Sequence, residues 1–237
     1  MLAAMPAISS PEAMVYKIAG VGFSYTPRSK VLARRLKPFA STEPPRTQIT
    51  LPEDFGGETE SVALLRQLSL LMLTEFDGML FHGVALGYKG LGYLFIAPSG
   101  IGKTTHAKLW EHYIPGARIL NGDKPFVRCA GGEITVWGSP WQGKENYGEN
   151  GALPLAGIFL LSRGEENRVE TLQPHAALSK MLAATVVPKT ADGAQKVLTL
   201  LEKILGRVPV CRLWCNMQPE AALVARRWTE EVTECCK

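Results

Sequence analysis

The sequence predicts an α/β fold built on a mixed β-sheet, and three observations support this prediction. A glycine-rich run at 97–105 lies between an apolar strand-like segment and a helix-forming segment. The strand-like segments 79–87 and 92–96 are separated only by the turn-forming residues 88–90, which predicts an antiparallel hairpin directly before that run. Many short strand-like segments follow it. Because a doubly wound sheet has parallel strands joined by crossovers at this place, the hairpin favours a mixed sheet.

The first third of the chain predicts a small α/β unit. Its leucines at 64, 65, 68, 70 and 71 have helical spacing. Strands are predicted at 15–19, 22–25 and 47–51, and helices at 30–36 and 61–76. We therefore expect a disordered lead at 1–14, an N-terminal cap at 15–76 and the core of the protein at 77–237.

The core segment alternates between strand-like and helix-like runs. Strands are predicted at 79–87, 92–96, 118–120, 126–129, 134–137, 156–161 and 209–214. Helices are predicted at 105–110, 174–184, 191–205 and 219–233. His106 is expected to be exposed on the first turn of the first of these helices, and Trp137 and Trp141 are expected to pack the core and a loop.

The run Ala-Pro-Ser-Gly-Ile-Gly-Lys-Thr-Thr at 97–105 matches the phosphate-loop (Walker A) pattern G-x-x-x-x-G-K-[ST], except that Ala97 replaces the first glycine. Glycines allow positive φ and close approach of the backbone, and a helix N-terminus favours a bound phosphate. Lysine adds a positive charge, and a threonine hydroxyl is a ligand that Mg²⁺ accepts. The sequence therefore predicts an ATP-binding site formed by Ser99, Gly100, Ile101, Gly102, Lys103, Thr104 and Thr105.

Composition excludes several classes of partner. The 237 residues carry a net charge of only +4 with scattered Lys and Arg, so no nucleic-acid partner is expected. The longest apolar run, 68–73, is too short to span a membrane.

The cysteines and the first residues bear on localisation. Residues 1–14 lack the pattern of a secretory signal, and the five cysteines are an odd number, which together predict a cytoplasmic protein with reduced thiols. Cys211 and Cys215 lie in a strand-like run and are expected to be ordinary thiols, not metal ligands.

Three motifs resemble one known family. The run Phe-His-Gly-Val-Ala-Leu at 81–86, the hairpin and the loop at 97–104 resemble the C-terminal catalytic domain of the HPr kinase/phosphorylase family. That family shares its nucleotide-binding core with ATP-dependent phosphoenolpyruvate carboxykinase. The run Gly-Ser-Pro-Trp-Gln-Gly-Lys at 138–144 is similar to one in the smaller stand-alone members, which include lasso-peptide precursor kinases. The family has two acids after the next strand, whereas this chain has Gly122 followed by Asp123.

The resemblance implies a fold of the HPr kinase and phosphoenolpyruvate carboxykinase type and an ATP- and Mg²⁺-dependent kinase. The acceptor would be a hydroxyl, by resemblance a serine, of a peptide or small protein. Catalytic roles fall on His82, Asp123 and Lys144, and Mg²⁺ would be held by Thr104 and Asp123. Asp123 would bind the metal or accept a proton, and His82 would act as acid, base or phosphate contact.

The sequence leaves several alternatives open. Asp123 could be a turn residue, His82 a core residue and Lys144 a solvated lysine. The acceptor could be a small metabolite such as free serine. The single acid beside Gly122 also fits a non-catalytic ATP-binding regulatory or assembly protein. Arg163 is a candidate phosphate clamp. A homo-oligomer is compatible with the resemblance.

Overall fold

The computed structural model describes residues 13–234, which form twelve β-strands and six α-helices. The expected disordered lead lies outside this range except for its last two residues, and Met14 already belongs to the first strand. The helices are α1 Lys30–Leu36, α2 Glu60–Glu75, α3 Lys103–Tyr113, α4 Pro174–Ala183, α5 Ala191–Leu205 and α6 Pro219–Glu234. The strands are β1 Met14–Ile18, β2 Val21–Tyr25, β3 Thr47–Gln48, β4 Gly78–Leu80, β5 Gly83–Tyr88, β6 Leu91–Ile96, β7 Arg118–Asn121, β8 Phe126–Ala130, β9 Glu133–Trp137, β10 Ala152–Arg163, β11 Arg168–Leu172 and β12 Val210–Cys215.

A small three-stranded sheet begins the chain. Strand β1 pairs antiparallel with β2, and β2 pairs parallel with the short β3. Its apolar side chains pack with helices α1 and α2 in a cluster that also contains Leu80, Phe126 and Trp141 of the larger part. The predicted N-terminal sheet is thus confirmed, and it shares its core with the rest of the protein.

The large sheet is mixed, as the sequence predicts. Its strand order is β4-β8-β9-β10-β6-β5-β7, and β12 and β11 extend it from β10. Strands β6, β10 and β12 run parallel to one another, whereas the other pairings are antiparallel. Strand β10 is long because its first residues pair with β9 and its later residues lie between β6 and β12.

The hairpin before the glycine-rich loop is also confirmed. Strands β5 and β6 pair antiparallel from Gly83 opposite Ile96 to Tyr88 opposite Leu91. The connecting Lys89 and Gly90 have φ values of 49° and 77°. Positive φ at both central residues is the turn geometry that matches the twist of two hairpin strands.

Helices cover both faces of the sheet. Helices α3 and α6 pack on one face, where Phe95 and Phe159 stack with ring centroids 4.7 Å apart. Helices α4 and α5 pack on the other face with the side chains of Leu94, Ile96 and Leu160. The parallel strands β6, β10 and β12 therefore end at one common edge between these layers, where loops with binding residues are usually found.

The strand predictions differ from the structure most clearly in two regions. The strand predicted at 79–87 is wrong, because β4 and β5 are separate strands that pair with different neighbours. At the break, the N–H of Phe81 still donates to Pro125 in register with the β4–β8 pair, whereas the N–H of His82 donates to Ala184. Strand β11 was not predicted, since it is an edge strand in which most side chains are exposed.

Among the helices of the described range, none combines the length and the apolar character that a bilayer span requires.

Candidate functional site

The glycine-rich loop connects β6 to α3 in a conformation that suits an anion. Gly100 and Gly102 have φ values of 80° and 118°, which only glycine adopts readily. Gly102 directly precedes α3, and no side chain caps the first turn of that helix. The N–H groups of this turn therefore remain free to bind a negatively charged group, which the helix dipole also favours. The helix begins at Lys103, two residues before the predicted start.

Lys103 is nearly buried against its own loop. Its Nζ lies 2.8 Å from the carbonyl oxygen of Ala97 and 3.4 Å from that of Pro98. Burial lowers the pKa of Lys103, and nearby Asp123 opposes this effect. The ammonium group is thus held at the mouth of the loop by neutral carbonyls, which a phosphate group can replace as a stronger partner.

A buried asparagine shapes the loop that carries Asp123. The Asn121 side chain is completely buried at the end of β7. Its Oδ1 accepts the N–H groups of Asp123 at 3.0 Å and Lys124 at 2.7 Å, and its Nδ2 donates to the carbonyl and hydroxyl oxygens of Ser139. Asn121 therefore fixes the turn from which Asp123 projects. An asparagine two residues before a turn aspartate is a signal of this geometry that the sequence did contain.

Gly122 lies where the resembled family has another acid, and there is no room for one. A Cβ atom at this position would lie 2.8 Å from the carbonyl oxygen of Gln142 and 3.2 Å from that of Tyr147. The N–H of Gly122 also donates to the Tyr147 carbonyl. In this chain the glycine is therefore required by the close approach of the 142–147 loop.

His82 lies at the break between β4 and β5, and not on a strand as predicted. Its own N–H donates to Ala184, and the N–H of Gly83 donates to the carbonyl of Asp123. These bonds place the imidazole Nε2 3.4 Å from Oδ1 of Asp123. Burial lowers the pKa of His82, and the charges of Lys124 and Lys103 add to this, while Asp123 opposes it. The surroundings therefore favour the neutral form of the imidazole.

The residues of the predicted site surround one cleft of about 450 Å³ at the edge of the sheet. From the sequence prediction it contains His82, Ser99, Gly100, Gly102, Lys103, Thr104, Thr105, Asp123 and Lys144. The sequence did not single out Gln142 and Tyr147 of the same cleft. It gave Glu145 no role, yet this carboxylate lines the cleft and forms a 3.0 Å ion pair with Lys108.

Other candidates lie outside the cleft. The side chain of Ile101 packs toward the aromatic layer of α3, so only its backbone belongs to the loop. The guanidinium of Arg163 donates to the carbonyl of Gly100 at 2.6 Å from the opposite side of the loop. The prediction that His106 is exposed is wrong: its ring is 2% exposed and its Nε2 accepts the indole N–H of Trp110.

The donors in the cleft fit a magnesium ion that is bound together with a nucleotide. Thr104 offers a hydroxyl and Asp123 a carboxylate, and Mg²⁺ usually takes only one or two carboxylates and completes its shell with phosphate and water. Within residues 13–234 no cluster of three or more His, Cys, Asp or Glu side chains is arranged for a metal ion. The site therefore suits a metal that arrives with phosphates.

No family model matches the chain, and no curated protein sequence matches it. Among solved structures, the chain is similar to the Hpr(Ser) kinase/phosphatase from Coxiella burnetii, with 11% sequence identity and a TM-score of 0.39. The match covers 66% of this chain and 95% of that one. The name is that of the family whose motifs the sequence resembles, but a likeness this loose assigns neither a family nor an activity to the chain.

Proposed function

We propose that this protein is an ATP- and Mg²⁺-dependent kinase that transfers the γ-phosphate to a hydroxyl group, in the first place a serine of a peptide or small protein. One observation carries the proposal: a single cleft joins an uncapped helix N-terminus and Lys103 to a His82–Asp123 pair and Lys144. Phosphoryl transfer requires few groups beyond a phosphate cradle, neutralising cations and a residue that orients the acceptor.

The predicted site residues of the cleft have separate proposed roles in phosphoryl transfer. The loop amides and Lys103 would hold the β- and γ-phosphates, and Thr104 and Asp123 would hold Mg²⁺, which would neutralise phosphate charge. Lys144 is an exposed cation on the opposite wall and stabilises charge on the phosphoryl group in transit. The acceptor oxygen bonds to the γ-phosphorus, the bond from that phosphorus to the bridging oxygen breaks, and the hydroxyl proton passes to Asp123 or to neutral His82.

Nucleotide binding is tested with Lys103→Ala. Loss of a charge-assisted contact worth about 1.5–3 kcal/mol should weaken Mg·ADP binding roughly tenfold to a hundredfold in isothermal titration calorimetry. Lys30→Ala is the matched control, because Lys30 is an exposed lysine at the start of α1, away from the cleft. Equal affinities of Lys103→Ala and the control would contradict the assignment of the phosphate site.

Transfer is tested with labelled ATP against serine-bearing peptides and, in parallel, free serine. Labelling of a peptide supports the proposed acceptor, and labelling of free serine alone identifies a metabolite kinase. Tight nucleotide binding without transfer to any acceptor would favour the second candidate, a non-catalytic ATP-binding protein, which the lack of an acid at Gly122 supports. Asp123→Asn separates the two proposed roles of Asp123. Loss of a metal ligand should raise the Mg²⁺ concentration that activity requires, whereas loss of a base should lower only the maximal rate.

A further inference from the structure

A second cavity, of about 390 Å³, lies on the other side of the glycine-rich loop, against the face covered by α4. Ala97, Pro98 and Ile101 separate it from the phosphate cleft, and His82 lines both spaces. A group bound in this cavity would therefore lie next to the imidazole that faces the phosphate site. Of the phosphate-loop residues 99–105 that the sequence assigns to ATP, Ile101 alone lines it.

The cavity has an apolar floor and a cationic rim. Ile96, Leu160 and Leu161 form much of the floor. The rim carries Arg163, Lys180 and Arg212, and no Asp or Glu lies among the described residues that line the cavity. None of these three cations has a carboxylate within ion-pair distance anywhere in residues 13–234. Three cations that form no ion pair, around a partly apolar space, favour the binding of an anion.

The three cations are held by different elements of the fold. Arg163 ends β10 and donates to Gly100 of the loop. Arg212 lies on β12 beside Leu160, and its guanidinium carbon is 5.2 Å from the ring centre of Trp214. Glu170 faces Arg212 across the strand pair, beyond the distance of an ion pair. Lys180 belongs to α4, and the carbonyl oxygen of Ala184, directly after this helix, accepts the N–H of His82. The hydrogen bond from His82 to Ala184 thus links the imidazole-bearing residue to the end of the helix that carries Lys180.

We propose that this second cavity binds an oxyanion group, a carboxylate or a phosphate, of the molecule that receives the phosphoryl group. This inference rests on the proposed function, since it names the chemical class of the acceptor. A carboxylate or a phosphate can accept two parallel hydrogen bonds from one guanidinium group, and Arg163 and Arg212 provide two such groups. With its oxyanion held there and its apolar part on the floor, the acceptor presents its hydroxyl group at His82 and Asp123. The substrate class is therefore a hydroxyl compound or serine peptide with a nearby anionic group.

The test compares matched probes on the full chain by calorimetry, without nucleotide and with Mg·ADP present. The probes are N-acetyl-L-serine, its neutral amide and glycerol 3-phosphate. At least one anionic probe should bind about tenfold or more tightly than the neutral amide, since charge-assisted hydrogen bonds are worth at least 1.4 kcal/mol. A preference for the first probe identifies a carboxylate, and a preference for the third identifies a phosphate.

Substitution locates the bound anion. Arg212→Gln should abolish the preference for the anionic probe and leave Mg·ADP affinity unchanged, and Lys180→Gln at the exposed rim should reduce it severalfold. Arg34→Gln on α1 removes one exposed charge elsewhere and should change nothing. Circular dichroism and thermal melting show whether each variant is folded, and Lys180→Gln provides the test if Arg212→Gln is not.

Three results would overturn the inference. The first is equal binding of the acidic and neutral probes to the wild-type protein. The second is a preference for the anion that survives in both rim variants. The third is a loss of Mg·ADP affinity in Arg212→Gln, which would indicate that the nucleotide binds in the cavity. These outcomes are distinct from failure of the proposed function, because the probes can bind even where Lys103→Ala shows no nucleotide site or where no transfer occurs.

Discussion

Replacing Gly122 by aspartate is expected to destabilise the protein without creating a useful second carboxylate. The motif beside this position suggests the opposite, since the resembled family has two acids there. In this structure the carbonyl oxygens of Gln142 and Tyr147 lie against the Cα of Gly122, and the latter accepts its N–H at 2.9 Å. Any side chain at 122 must therefore move the loop that forms one wall of the cleft.

The size of the effect follows from the contacts. The new Cβ would lie 2.8 Å and 3.2 Å from two backbone oxygens, and a backbone cannot move aside as a flexible side chain can. Inserting atoms into such a packed place typically costs about 1–3 kcal/mol. For a protein of this size that corresponds to a fall in Tm of roughly 2–12 °C. The aspartate also adds a negative charge to a cleft that must bind phosphate.

Thermal and chemical unfolding of Gly122→Asp and Gly122→Ala measure the loss of stability, and titration with Mg·ADP measures the nucleotide affinity of the cleft. Gly22→Ala is the matched control, because its Cβ would meet its nearest neighbour, the Pro44 carbonyl oxygen, at an ordinary 3.5 Å. The control should keep wild-type stability or gain slightly. A Gly122→Asp protein that is as stable as the wild type and transfers phosphate faster would refute the reasoning and restore the idea of a missing acid.

Three further predictions concern Asn121, Gly102 and His106. Asn121→Ala leaves the N–H of Asp123 without its side-chain partner and should cost about 1–3 kcal/mol in urea unfolding together with a lower phosphoryl-transfer rate; an unchanged rate would contradict its positioning role. Gly102→Ala, forced to a φ of 118°, should lose stability and Mg·ADP affinity, whereas Gly116→Ala, at a φ of 82° in open space, should lose stability alone; equal affinities of the two variants would count against a role for the loop conformation. Burial lowers the pKa of His106 from 6.5 to about 4. Between these pH values His106 binds a proton in the unfolded chain and not in the folded one. The free energy of unfolding should therefore fall by up to about 3 kcal/mol as the pH drops toward 4. His106→Gln, which cannot titrate, should show a smaller fall over the same range, and identical pH profiles would contradict this.

The sequence predicted the elements that depend on local pattern. Helices α1 and α5 have the predicted bounds, because their leucines repeat with helical spacing and residues such as Thr190 cap the ends. The β5–β6 hairpin was predictable because Lys89-Gly90 favours a tight turn between apolar strands. The glycine-rich loop was predictable because its conformation requires glycines at defined positions.

Elements that depend on distant partners were not predictable. The apolar run around His82 continues without a local signal, and it breaks because the chain changes its pairing partner there from β8 to β6. His106 has a polar side chain, yet it is buried because Phe95 and Trp110 surround its ring. Strand β11 forms because β12 offers it an edge, and its own residues carry little strand pattern.

For the candidate site, the sequence by itself determined the chemistry of the residues: a phosphate loop, a histidine, an aspartate and a lysine on separate segments. Only the tertiary structure decided that these segments meet in one cleft, because it depends on which strands pair and where they end. It also decided that Gly122 must remain a glycine and that Arg163, Lys180 and Arg212 converge on a second cavity. Side-chain chemistry is a local property of the chain, whereas the distance between two side chains is fixed by the packing of all the elements between them.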